Sequence, residues 1–113
     1  MKIYDCFMFF DEEMLLDLRL NVMDKYVDKF VITESTYMHS GKSKKLIFDK
    51  NKFKKFKDKI IYIVVDQEPS DLIQIKDSDT LNEKQIKMTI NAKKREMYQI
   101  NKTQEGIIDA DND

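Results

Sequence analysis

Glu34 and Ser35 stand directly after an apolar, β-branched run, Val31-Ile32-Thr33. In open α/β sheets, ligands gather outside the carboxyl ends of strands. A carboxylate there accepts hydrogen bonds from a ribose or a base; the plainer reading is a polar pair that ends a strand. Arg95 and Gln99 lie one helical turn apart in the stretch REMYQ. The planar fork of an Arg suits a diphosphate, and a surface ion pair with a Glu is the simpler alternative. Asp109-Ala110-Asp111 has the form D-x-D, whose carboxylates bind a hard cation that bridges phosphate oxygens. That motif works at the end of a buried strand, and only Ile107 and Ile108 precede it here, so an acidic loop is expected. Phe9 and Phe10 close the first apolar run. An aromatic there packs in the core or stacks on a base.

Other candidates are weaker. His39-Ser40-Gly41-Lys42-Ser43 carries the end of a phosphate-loop motif, but Thr36 stands where the first Gly is needed. A lysine-rich turn is expected. His39 is the only histidine and reads as an exposed loop residue. Cys6 is the only cysteine, so no intramolecular disulfide forms, and its apolar neighbours predict packing rather than reactivity.

A chain of 113 residues suits one domain, and 42% apolar with 36% charged residues suits an α/β domain with a solvated exterior. A net charge of −1 gives no field toward nucleic acid, although lysines interleave with Phe53 and Phe56. No nucleic-acid partner is expected. No stretch approaches the ~20 apolar residues of a membrane span. A cytoplasmic location is expected, with any membrane association made through other regions.

The elements that must position these residues follow from periodicity. Ile3 to Phe10 predicts a buried strand, with Asp11 as the N-cap of the next helix. That helix carries two adjacent apolar stripes, Leu15, Leu18, Val22 and Leu16, Leu20, Met23, a wide face to be covered by a sheet or by other helices. Lys29 to Thr33 predicts a second strand, and Ser35 to Lys45 a loop. Leu46 to Phe48 predicts a short strand, and Asn51 to Phe56 a short helix. Lys59 to Val65 is a near-continuous apolar run of the kind that two-sided burial in a parallel sheet requires. A long helix over 82–105 is predicted, with Ile86, Ile90, Met97 and Ile100 near one face and Gly106 as its C-terminal cap. The order βαβ-α-β-α predicts an α/β fold: an open parallel sheet of three clear strands with flanking helices. The last helix has no following strand, so residues 1–113 are expected to be the single N-terminal part of a longer domain.

Several stretches in order, IYDCFMFFDE, LLDLRLN, VDKFVITES, SGKSKKLIF, FKDKIIYIVV and REMYQ, resemble glycosyltransferase family 17 over nearly the whole chain. The resemblance implies a partial GT-A-like, Rossmann-like fold. It implies transfer of N-acetylglucosamine or a related sugar from a UDP-sugar donor to a glycan acceptor. It makes Phe10 and Glu34 candidates for the nucleoside end of the donor site, with Arg95 and Gln99 near the diphosphate. A divalent cation, Mn²⁺ or Mg²⁺, is implied for the full enzyme, with its ligands and the catalytic base beyond Asp113. The chain alone is then expected to be inactive. Ile100 departs from the family, which commonly has Arg after that Gln. The rival reading is a small non-catalytic α/β interaction module.

Overall fold

Three apolar segments pair in parallel in the computed structural model, which describes residues 2–111. The strands β1 (Tyr4–Met8), β2 (Lys29–Ser35) and β3 (Ile60–Val65) lie in the order β1-β2-β3. Cys6 pairs with Val31 and Val31 with Ile61. The central strand is the most buried, and Phe30 to Ser35 are buried without interruption. The α/β expectation with three parallel strands therefore holds.

Alternation along β2 sends Phe30, Ile32 and Glu34 to one face, and Val31, Thr33 and Ser35 to the other. The first face is covered by helix α1 (Glu13–Met23) and a 3-10 segment over Lys50–Lys59. Leu16, Leu20, Phe53 and Phe56 meet Phe30 and Ile32 there. The second face is covered by helix α2 (Leu81–Asp111), which packs on all three strands. The chain thus changes face after β3.

Several boundaries differ from the sequence expectation. The residue before α1 is Glu12, which makes no side-chain cap bond, and Asp11 lies outside, its carbonyl accepting from the Glu13 N–H at 3.0 Å. Leu46 to Phe48 forms no strand, because the N–H groups of Ile47 and Phe48 donate to the Glu34 carboxylate instead of to a ladder. The helix α2 runs on through Gly106. A Cβ at Gly106 would stand 2.5 Å from Val31 Cγ1 and 2.5 Å from Ile63 Cδ1, so this glycine lets the helix approach the sheet. Asp109 and Asp111 are helical rather than in a loop, and their side chains lie outside the described residues.

Both amphipathic expectations need correction. Of the two stripes on α1, Leu16 and Leu20 turn inward, while Leu15, Leu18 and Val22 are 62%, 59% and 53% exposed. β1 has a strand partner on one side only among the described residues, so nothing covers the outer stripe. On α2, the apolar Ile86, Ile90 and Met97 are exposed, and the buried side chains are Asn91, Gln99 and Thr103. The inward face of the long helix is polar.

Candidate functional site

Glu34 sits at the end of β2 on the α1 face, fully buried. Its carboxylate accepts from Lys44 Nζ at 2.6 Å, Tyr62 Oη at 2.7 Å, Ile47 N at 2.7 Å and Phe48 N at 3.0 Å. A carboxylate has about four lone-pair sites, so its capacity is filled by the chain itself. Burial alone would raise the Glu34 carboxyl, but the bonds from Lys44, Tyr62 and the two amides outweigh it and hold it below the usual carboxylate range. Burial, and then the bond to Glu34, pushes the Tyr62 phenol far above its ordinary value. The result is a staple that fixes residues 44–48 to the strand end.

Between Glu34 and that staple, the chain makes a tight hairpin. Tyr37 bridges Ser43, Gly41 N donates to Met38 O at 2.8 Å, and Met38 N donates to Lys42 O at 2.8 Å. Gly41 has φ +93°, the left-handed conformation that such a turn requires. The His-Ser-Gly-Lys-Ser stretch is therefore a hairpin tip, in line with the turn expected from sequence.

The opposite face of the sheet carries a different chemistry. Gln99 reaches from α2 under the end of β2, where its Nε2 donates to Thr33 O at 3.3 Å. A carbonyl only accepts, so the amide nitrogen must face Thr33, and Oε1 faces away. Gln99 Oε1 and His39 Nε2 are buried with no hydrogen-bond partner among the described residues. Each unpaired buried group costs about 1–3 kcal/mol. Both line a polar cavity of about 10 Å³ with Ser35, Tyr37, Glu68 and Arg95. That space holds about one water. His39 is not the exposed loop residue that its position suggested: it is half-buried, and its ring stands perpendicular to that of Phe10 with centroids 5.1 Å apart.

Arg95 ties the cavity walls together. Nε donates to Glu68 Oε1 at 2.9 Å and Nη1 to the His39 carbonyl at 3.0 Å. The guanidinium lies against Gly41, where a Cβ would stand 2.7 Å from Nη2. Two of the five N–H groups are used among the described residues, leaving three. The other arginine, Arg19, is committed to Asp5 by bonds of 2.8 and 2.6 Å and stacks over Phe7. Burial, then Asp5, raises the Cys6 thiol, against a smaller lowering by Arg19.

The four sequence candidates therefore divide. Phe10, Arg95 and Gln99 converge around His39, whereas Glu34 lies on the other face of β2. Residues 1–113 match the family model for glycosyltransferase family 17. The chain belongs to that family. Comparison with curated proteins and with solved structures gave no match. Family 17 membership makes sugar transfer the reaction class, with a sugar donor and a glycan acceptor as substrates. No helix among the described residues is long and apolar enough to cross a membrane.

Sequence reading of this family 17 chain missed His39, Glu68 and Tyr98. Tyr98 separates the small cavity from a groove of about 380 Å³ along Pro69, Ile90, Lys94 and Met97. Its neighbours Arg95 and Gln99 marked the helical face; Glu68, in the turn after β3, had no pattern to mark it.

Proposed function

We propose that the described residues form the donor-binding part of an enzyme that moves N-acetylglucosamine, or a related sugar, from a UDP-sugar to a glycan acceptor. One observation carries this reading: Arg95 keeps unclaimed N–H donors beside the unpaired Gln99 Oε1 and His39 Nε2, at the carboxyl ends of β2 and β3. A diphosphate calls for cationic N–H donors. A nucleoside offers N–H and O–H groups, which the unpaired Gln99 oxygen takes up. Phe10, already against His39, offers a ring face for a base. Glu34 serves by fixing the wall from which the hairpin rises.

In the transfer, the bond from the anomeric carbon to the diphosphate breaks as an acceptor hydroxyl attacks. A divalent cation, Mn²⁺ or Mg²⁺, would offset the charge of the departing diphosphate. No three His, Cys, Asp or Glu side chains among the described residues are arranged to hold a metal ion. No step is therefore assigned to a cation held by them.

Thermal unfolding with added UDP and Mn²⁺ tests the reading. A ligand that binds only the folded chain adds about 2.7 kcal/mol at 100 times its Kd. We expect the melting temperature to rise with UDP, and the rise to vanish in Arg95→Gln. A melting temperature indifferent to millimolar UDP would instead support a non-catalytic interaction module.

A further inference from the structure

We propose that Glu68 is a built-in competitor for the phosphate of the ligand, and that the Arg95 guanidinium it engages also holds the Tyr37–Ser43 hairpin shut through the His39 carbonyl. This rests on the reading above, that Arg95 receives the diphosphate of a donor. The Glu68 carboxylate receives the Arg95 Nε–H at 2.9 Å, the kind of contact that a phosphate oxygen would make. The Arg95 side chain is 15% exposed and that of Glu68 33%, so the pair is only partly screened by solvent. Arg95 Nη1 meanwhile holds the His39 carbonyl, and the guanidinium packs on Gly41. Three segments thus meet on one cation: the turn after β3, the hairpin after β2, and α2.

The cavity behind this contact has room for about one water and for no nucleotide. Entry of a phosphate-bearing ligand therefore requires the Glu68 contact to break. The carboxylate swings to solvent, and the phosphate takes the Nε–H that Glu68 held together with N–H groups of the guanidinium that were unused. The His39 carbonyl loses its donor, and the hairpin is released at that end. Glu34 holds the other end, since Lys44, Ile47 and Phe48 stay bound to it. The hairpin then pivots on the Glu34 staple and exposes His39 Nε2 and Gln99 Oε1 to the ligand.

Titration of the full chain with inorganic pyrophosphate and, separately, with UDP tests this. Glu68→Gln keeps the side-chain shape and removes the competing charge; we expect it to tighten both ligands about three- to tenfold. Arg95→Gln should abolish binding, and the double variant should match Arg95→Gln. Glu68→Asp, which draws the carboxylate back by one methylene, should lie between wild type and Glu68→Gln and stands in if the Gln variant fails to fold. Loss of binding in Arg95→Gln, with no gain in either Glu68 variant, overturns the competitor and leaves the donor-site reading intact. Binding by Arg95→Gln equal to wild type overturns the donor-site reading itself. Carbethoxylation of the single histidine reads the hairpin: pyrophosphate should speed reaction at the buried His39 Nε2, and an unchanged rate overturns the release.

Discussion

Lys44 is the only full positive charge on the Glu34 carboxylate among the described residues, and the side chains of both are almost fully buried. Lys44→Met leaves that carboxylate with neutral donors only. Breaking one partner of a buried pair costs about 3–5 kcal/mol; with the Tyr62 hydroxyl and two amides remaining, we expect about 3 kcal/mol in urea denaturation. The same network sets the response to pH. Glu34 is held below its ordinary range, so its contribution is complete above the unfolded value of about 4.3 and is lost as pH falls through the lower folded value. Tyr62 is raised, so its contribution is complete below about pH 10 and is lost as pH rises through the folded value. Stability measured against pH should fall at both ends, and Glu34→Gln should flatten the acid side. The sequence marked Glu34 by its place at a strand end. It could not mark its partners, which come from 10 to 28 residues away and meet only when the loop folds back.

At the scale of elements, the strands were readable from their apolar runs, but the two-sided burial that such runs suggest holds only for β2: β1 is half-buried, and Val64 of β3 is 40% exposed. The face of α2 was not. Its isoleucines and Met97 follow a helical period, yet the side chains that turn inward are Asn91, Gln99 and Thr103. Asn91 donates to Ile73 O and accepts from Ile73 N, and so binds the segment before the helix. Apolar periodicity fails where a helix brings polar groups to a site, and here it fails beside the unpaired Gln99 oxygen. The start of α2 is a capping box: Glu83 N donates to Thr80 Oγ1 at 3.1 Å and Thr80 N to Glu83 Oε1 at 3.4 Å. Thr80→Ala should cost about 1 kcal/mol, read as a lower thermal midpoint. Gly106→Ala sets two effects against each other. Helix propensity favours Ala by up to about 1 kcal/mol. The added Cβ, 2.5 Å from both Val31 and Ile63, must push the helix off the sheet, and overpacking costs about 1–3 kcal/mol. Contact with two side chains of the sheet puts the cost near its upper end, so we expect net destabilisation in denaturant melts.

The whole molecule is elongated, 53 × 27 × 19 Å, with a radius of gyration of 16.5 Å. A compact chain of this size would have about 13 Å. The excess comes from α2, whose 31 residues span about 46 Å, far more than a three-stranded sheet can cover. The exposed stripe of α1 lies beside β1, which pairs on one side only among the described residues, a combination that invites association. We expect the chain to self-associate as concentration rises in sedimentation velocity, and Leu18→Lys with Val22→Lys to reduce this. The meeting at His39 has a further consequence for how the molecule comes together. Phe10 arrives from the end of the first strand, while Arg95 arrives from a helix 56 residues beyond His39. The strands can pair and the first core can form while α2 is still undocked, and in that state no pocket exists. Ligand affinity is therefore a gauge of completed assembly. A ligand held by Arg95 should slow the detachment of α2 in particular, and faults anywhere along that helix should register as lost affinity before they register as a lost sheet.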